Sequence, residues 1–237
     1  MYADLARVRA KQHDVQNAGS IPMSRRTSYP AAAAVLAERD SVMASLVAAA
    51  GAMRLRKSVE PHFASLVESI VYQQLAGRAA AAIHGRLVTA LDGRVEPEAV
   101  LALADEQMRA AGLSANKTAS LRDLAAKVLD GTVILDPHRL AREPDDEVVT
   151  RLTAVRGIGE WTAQMFLLFQ LRRRDVWPTG DPGVRKGYGL AWGVPMPTPK
   201  QLLVLGEPFR PYRSVAAWYC WRAVEIYTGA AESAVTG

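Results

Sequence analysis

Cysteine is almost absent from this sequence, which has 237 residues and a single cysteine, Cys220. One thiol cannot build a disulfide framework, a cysteine-rich zinc site or an iron–sulfur cluster, and such sparse cysteine is typical of a reducing cytosolic setting. The histidines are few and show no metal-ligand spacing; they are His13, His62, His84 and His138. The sequence therefore predicts a cytoplasmic protein without a metal centre built from cysteine or histidine.

Long apolar runs are absent as well. No segment reaches the roughly 18 apolar residues of a membrane span. The first residues, "MYADLARVRAKQHDVQNAGS", lack the apolar stretch and small-residue cleavage site of a secretory signal. We therefore expect no membrane partner. The formal net charge of +5 and the isoelectric point near 9.5 favour a polyanionic partner such as nucleic acid.

Helical periodicity is what the sequence has in abundance. "AAAAVLAERDSVMASLVAAAG" predicts a helix that ends at Gly51, and "PHFASLVESIVYQQL" has apolar residues at a period of 3.6 after Pro61. Similar segments continue to the C-terminus, and the only strand-like run is "TVIL" at 132–135. The fold class predicted is all-α, with roughly eight to ten helices. Residues 1–28 are polar and charged, which predicts a flexible tail; its Arg25 and Arg26 could contact phosphate, although solvated basic termini are common.

Two glycines, Gly157 and Gly159, separate the helical segments "EVVTRLTAV" and "WTAQMFLLF". Glycines at this place allow a tight turn and leave the next helix N-terminus unshielded. The free N–H groups of that N-terminus could bind a phosphate of a nucleic-acid strand, whatever its base sequence. A plain helical hairpin, in which the glycines serve only the turn, is the alternative.

Four stretches in order resemble the helix-hairpin-helix (HhH-GPD) DNA glycosylase superfamily, and specifically its alkylated-base (3-methyladenine) branch. They are "FASLVESIVYQQLAGRAAAAIHGRL", "LTAVRGIGEWTAQMFLLF", "DVWPTGDPGVRKG" and "RPYRSVAAWYCWR". The resemblance covers about residues 31 to 228. It implies one two-lobed glycosylase domain at 29–237. Lobe A would be about 62–178 with the hairpin at 147–171, and lobe B would combine 30–61 with 179–237.

Asp181 occupies the position of the family's catalytic aspartate in "WPTGDPGV". Asp followed by Pro is also an ordinary helix start, with Asp as N-cap. A carboxylate beside the sugar can stabilise the oxocarbenium charge that develops as the base departs, and can orient the attacking water. Asp175, a competing carboxylate, is interpreted as structural.

Trp161 stands where bifunctional members of the superfamily carry a nucleophilic lysine. Tryptophan has no nucleophile, so the resemblance implies a monofunctional enzyme without lyase activity. The resemblance places Trp161, Met165 and Trp221 in the base pocket, where an indole face would stack on a positively charged alkylated purine. Met165 departs from the aromatic residue common in the family, and ordinary core packing is the alternative for all three side chains.

The resemblance also assigns contacts with DNA. Leu75 would be the wedge that enters the duplex when a base flips, with Gln73 and Gln74 as its neighbours; spacing alone would place Leu75 on the helix stripe of Ile70. Phosphate contacts fall on Gly157, Gly159 and Thr162. The family hairpin also holds a monovalent cation, Na⁺ or K⁺, through main-chain carbonyls, here those of Thr153, Val155 and Ile158.

The function predicted is hydrolysis of the N-glycosidic bond of alkylated purines in double-stranded DNA, by a monomer that requires no cofactor. One alternative is a glycosylase for other damaged purines such as hypoxanthine or ethenoadenine. Another is a DNA-binding protein that uses the hairpin without chemistry. Asp181 favours catalysis, because a carboxylate repels the phosphates that a binding protein must hold.

Overall fold

The computed structural model describes residues 27–55 and 59–235, with side chains as far as residue 229. Its helices are α1 (Tyr29–Arg39), α2 (Ser41–Ala50), α3 (His62–Tyr72), α4 (Gly77–Ala90), α5 (Pro97–Ala102), α6 (Asp105–Ala110), α7 (Ala115–Leu129), α8 (Pro137–Leu140), α9 (Asp145–Thr153), α10 (Glu160–Met165), α11 (Pro182–Trp192), α12 (Pro199–Leu205) and α13 (Arg213–Val235). A π-helical turn, Phe166–Gln170, continues α10, and a 3-10 turn, Glu207–Phe209, follows α12. The described part of the chain contains no strand, so the all-α prediction is confirmed.

The described residues form thirteen α-helices, more than the roughly eight to ten predicted. The alanine-rich segment before Gly51 forms two helices, because Asp40 adopts an extended conformation and its Oδ1 accepts the Met43 N–H at 2.8 Å as the N-cap of α2. The "TVIL" run pairs with no strand. Instead, the Val133 N–H donates to the carbonyl of Lys127 at 2.7 Å, so this segment folds back on the end of α7.

The described apolar side chains form two hydrophobic cores. The first, which we call the hairpin lobe, is built from buried residues between Phe63 and Val176. The second, the C-terminal lobe, combines buried residues of α1 and α2 with residues from Trp177 to Ala223. Trp221 packs against both cores. The predicted tail at residues 1–28, with Arg25 and Arg26, lies almost wholly outside the described residues.

Close packing of α11 on α13 fixes the geometry of the C-terminal lobe. A Cβ atom at Gly187 would overlap the carbonyl oxygen of Cys220, so the two backbones touch where only glycine fits. At Gly183, one turn earlier in α11, a Cβ would lie 2.9 Å from the Trp221 ring. These two glycines let the start of α11, and therefore Asp181, approach the indole of Trp221.

Across the described residues, we find no helix that combines the length and the apolar character required to cross a bilayer.

Candidate active site

The turn between α9 and α10 has the backbone conformation that its sequence predicts. Gly157 has φ +78°, in the left-handed region, and a Cβ there would lie 2.5 Å from the Ser120 Oγ. Gly159 is the N-cap of α10 with φ −90°, and a Cβ there would meet nothing within 4 Å. Gly157 is therefore required by both strain and space, whereas Gly159 leaves the start of α10 open.

Thr162 lies in the first turn of α10. Its side chain is buried, and its Oγ1 lies 3.3 Å from the Gln73 Nε2, which donates to it. The Thr162 hydroxyl therefore has a partner within the protein, and the phosphate contacts predicted at Gly157, Gly159 and Thr162 stay predictions.

Asp181 lies at the start of α11 with three hydrogen-bond donors around its carboxylate. Oδ1 accepts the Val184 N–H at 2.7 Å, in the manner of an N-cap, and the Trp221 Nε1–H at 2.9 Å. Oδ2 accepts the Trp161 Nε1–H at 2.7 Å. Only 6% of Asp181 is exposed. A buried carboxylate with this many donors is held in one orientation, as an anion at a helix N-terminus.

Trp161 connects this carboxylate with a cavity. The ring is 47% exposed and helps to line a cavity of about 490 Å³ between α3 and α10. The cavity walls are Ser69, Tyr72, Gln73, Gln74, Trp161, Thr162 and Met165. The cavity therefore has aromatic and thioether surfaces, several polar groups, and one wall that donates a hydrogen bond to Asp181.

Only two of the three residues predicted for the base pocket line the cavity. Trp161 and Met165 line the cavity, but Trp221 does not. Trp221 contacts Asp181 from the C-terminal lobe and stacks on Phe169, with ring centroids 5.8 Å apart and an interplanar angle of 22°.

Two aromatic residues near the site were missed. Phe169 is 41% exposed beside Trp221, and Tyr72 is a cavity wall. The spacing of Trp161, Met165 and Phe169 at i, i+4 and i+8 is a signal that could have indicated Phe169. Tyr72 gave no comparable signal: it ends α3 off the apolar stripe, and its place on the cavity wall depends on how α3 packs against α10.

The loop between α3 and α4 contains the predicted wedge. Leu75 is 37% exposed there, and Gln74 before it has φ +58°, a conformation that non-glycine residues adopt rarely. Gln73 lies beside them, but its side-chain amide donates to the Gly157 carbonyl at 2.9 Å and to Thr162. The Gln73 amide thus contacts the hairpin, whereas Gln74, Leu75 and Ala76 are exposed.

The predicted cation ligands lie at the turn itself. The Val155 carbonyl accepts the Ile158 N–H at 3.1 Å, so one of its lone pairs is used within the turn. Main-chain carbonyls are neutral oxygen ligands of the type that hard cations accept. Among the described residues, no group of three or more His, Cys, Asp or Glu side chains is placed to hold a metal ion.

Three other charged or reactive residues, Asp175, Cys220 and Lys186, do not line the cavity. The Asp175 carboxylate accepts two hydrogen bonds from the Arg213 guanidinium, at 2.8 and 2.9 Å, one from the Arg213 main-chain N–H at 3.3 Å, and one from Arg210 at 2.6 Å. These hydrogen bonds agree with the interpretation of Asp175 as structural, and they engage the Arg213 side chain within the protein. Cys220 is fully buried; its burial, and then the negative charge of Asp181, raise the pKa of the thiol. Lys186 is exposed on α11, beyond Asp181.

Comparison with known proteins agrees with this geometry. The family of HhH-GPD superfamily base excision DNA repair proteins matches residues 67–211. DNA-3-methyladenine glycosylase 1 of Schizosaccharomyces pombe is 34% identical over 205 residues, which cover 84% of this chain and 90% of that protein.

Two solved structures have similar folds. One is the 3-methyladenine DNA glycosylase of Schizosaccharomyces pombe in complex with abasic DNA, with a TM-score of 0.72 and 34% identity, covering 81% of this chain and 95% of that one. The other is DNA-3-methyladenine glycosidase from Bacillus halodurans, with a TM-score of 0.76 and 34% identity, covering 84% and 91%. The chain described here belongs to the HhH-GPD superfamily of base excision DNA repair proteins.

Proposed function

We propose that this protein is a monofunctional DNA glycosylase that hydrolyses the N-glycosidic bond of alkylated purines in double-stranded DNA. The relatives at 34% identity that carry the name DNA-3-methyladenine glycosylase support the activity. The relative solved in complex with abasic DNA supports DNA as the partner. The reaction is a hydrolysis, and it calls for no cofactor.

One observation carries the proposal: a single side chain, Trp161, lines the cavity and donates to the Asp181 carboxylate at 2.7 Å. A base bound against this indole would place its own sugar next to Asp181. The cavity of about 490 Å³ lies within the range of small-ligand pockets, about 300–1,000 Å³. The base-binding surface and the carboxylate therefore form one site.

Charge explains why this site suits an alkylated purine. Alkylation at N3 or N7 makes the base cationic, and a cation stacks well on the face of tryptophan. The same positive charge makes the base a good leaving group, so little general-acid assistance is needed. As the C1′–N bond breaks, positive charge develops on the sugar, and the fixed anion of Asp181 stabilises it and orients the water that attacks.

We expect no strand cleavage, because Trp161 occupies the position from which a lysine amine would attack C1′. Lys186 lies on α11 after the catalytic aspartate, away from that position. The product should therefore be an intact strand with an abasic site.

A monovalent cation at the hairpin is part of the proposal. The carbonyls of Thr153, Val155 and Ile158 would hold it, and its charge would add to the attraction for a DNA phosphate at the turn. We also propose that the protein acts as a cytoplasmic monomer; sedimentation with and without duplex DNA tests the monomeric state.

The experiment that tests the function uses methylated duplex DNA and three proteins: wild type, Asp181→Asn and Asp92→Asn. Asp92 is exposed with φ +50°, a conformation that asparagine tolerates, so Asp92→Asn removes one carboxylate at a distance from the site. Free bases are identified by chromatography, and strand breaks are counted before and after alkali.

Wild type and Asp92→Asn should release methylated purines, with breaks only after alkali, and Asp181→Asn should release little. If no base is released while all three proteins bind duplex equally well, the protein uses the hairpin to bind DNA and is not a glycosylase. Release of hypoxanthine or ethenoadenine in preference to methylated purines would instead indicate a glycosylase for neutral lesions.

A further inference from the structure

One face of α7 contacts two elements that would bind DNA in the proposed function: the wedge loop with the helix end before it, and the hairpin turn. Lys117, Ser120 and Asp123 follow one another at intervals of three residues, so they lie along one side of the helix over about 9 Å. Lys117 contacts the end of α3 and the first residue of the wedge loop (Gln73–Ala76), whereas Ser120 and Asp123 contact the hairpin turn (Val155–Gly159).

The Lys117 ammonium provides the hydrogen-bond donors that a further turn of α3 would have provided. Its Nζ donates to the carbonyls of Ile70 at 2.9 Å, Val71 at 2.5 Å and Gln73 at 2.8 Å. The chain leaves the helix at Gln73, so the N–H groups that would continue the hydrogen bonding of α3 turn away. An ammonium has three donors, and here it finds three acceptors at the negative end of a helix dipole.

Burial lowers the pKa of Lys117, whose side chain is partly buried. The planar fork of arginine does not match three converging carbonyls. Lys117 therefore holds the carbonyls at the end of α3 together, the last of them two residues before Leu75.

Ser120 and Asp123 hold the hairpin turn on the same helix. The Ser120 side chain lies directly under Gly157, where it excludes any Cβ. The Asp123 Oδ2 accepts the main-chain N–H of Arg156 at 2.7 Å. Burial alone would raise the pKa of Asp123, but hydrogen bonds from Lys127 and from the Arg156 main chain outweigh it, and the net effect lowers that pKa.

A third link connects the two elements directly. The Gln73 amide donates to the Gly157 carbonyl at 2.9 Å. The wedge loop and the hairpin turn are thus joined to each other directly and are both joined to α7.

We propose that Lys117 is a positioning residue for base flipping, which fixes the wedge loop at the distance from the hairpin turn that the duplex requires. This inference rests on the proposed function. Lys117 touches neither substrate nor Asp181. It acts through Leu75, which can fill the gap left by a flipped base only if α3 ends where it does.

The test compares wild type with Lys117→Met, Leu75→Ala and the double variant. Methionine keeps an unbranched stem but cannot donate to the three carbonyls. The first readout needs no catalysis: fluorescence of 2-aminopurine placed opposite a tetrahydrofuran abasic analogue, which rises when a wedge unstacks it. The second is the single-turnover release of 7-methylguanine, from a paired duplex and from a one-nucleotide bulge in which the lesion is already unpaired.

We expect Lys117→Met to reduce both the fluorescence rise and the duplex rate, the rate by about tenfold or more, a factor of ten being 1.4 kcal/mol. The bulged lesion should be released at close to the wild-type rate, because unpairing costs least for a base that is already unpaired. Once Leu75→Ala has removed the wedge, adding Lys117→Met should cost little more, as expected for two residues that act through one step.

Two further variants serve as a control and as a replacement for Lys117→Met. Lys200→Met removes one exposed positive charge on α12 and should leave both readouts unchanged. Lys117→Arg keeps the positive charge but presents a planar fork to the three carbonyls; it carries the same expectations if Lys117→Met does not fold.

Equal losses on paired and bulged lesions would show that Lys117 only stabilises the protein, and an unchanged fluorescence rise would show that it does not position the wedge. Either result overturns the inference. If wild type releases no base at all, the proposed function has failed, and the fluorescence readout alone decides whether Lys117 positions Leu75.

Discussion

Replacing Trp161 by phenylalanine separates the two contributions that its indole makes to the site. Phenylalanine keeps an aromatic face toward the cavity but loses the Nε1–H that donates to Asp181 Oδ2 at 2.7 Å. Trp161 is 47% exposed, so the substitution leaves no buried void and the fold should be preserved. What changes is the orientation of a carboxylate that is 6% exposed.

The two oxygens of Asp181 differ in how many donors they have, and this sets the expected magnitude. Oδ1 has two, the Val184 N–H and the Trp221 Nε1–H, whereas within the described part of the chain Trp161 is the donor to Oδ2. A hydrogen bond to a charged group contributes about 1.5–3 kcal/mol, and about 1.36 kcal/mol is tenfold in rate, so Trp161→Phe should slow base release about 10- to 150-fold. Trp221→Phe should cost less, because Oδ1 keeps the Val184 N–H.

Single-turnover release from saturating enzyme is the assay, with 7-methylguanine as a cationic lesion and hypoxanthine as a neutral one. Loss of the N–H should slow both lesions, whereas a weaker cation–π contact should slow only the cationic one. Binding to an abasic duplex serves as the control for fold and DNA affinity. If Trp161→Phe releases both lesions at the wild-type rate, or if Trp221→Phe is the more damaging change, the argument that Trp161 positions Asp181 is refuted.

Three further predictions concern stability. Gly157→Ala should destabilise the protein by at least about 1 kcal/mol, because of φ +78° and the contact with Ser120, whereas Gly159→Ala should be nearly neutral in the same urea titration. Gly187→Ala should be far more damaging than either, since its Cβ would overlap the main chain of α13; a normal unfolding midpoint would contradict that packing. Asp123→Asn should destabilise at neutral pH. Because the folded-state pKa of Asp123 is lowered, its contribution is present above the unfolded value of 3.8 and is lost as the pH falls through the folded value, so urea midpoints of wild type and variant should converge in acid.

The contacts at the site that the sequence did not predict share one property: the two partners are distant along the chain. Trp161 and Trp221 reach Asp181 from 20 and 40 residues away, and Lys117 reaches the end of α3 across 44 to 47 residues. No local pattern reports such distances, because they depend on how whole helices pack. Thr162 shows the same limit: its place in the first turn of α10 was predictable, but not the Gln73 amide that occupies its hydroxyl.

By itself, the sequence determined what depends on neighbours along the chain. Apolar spacing at 3.6 residues specified an all-α fold, and the two glycines specified the hairpin turn. The pair of Asp181 and Pro182 specified a helix start that the aspartate carboxylate caps. These features follow from steric and hydrogen-bonding preferences that act within a few residues. The tertiary structure alone decided which groups surround that carboxylate. Two indoles from different lobes point their N–H groups at Asp181 because α10, α11 and α13 meet there, and helix packing is settled by side chains from the whole chain.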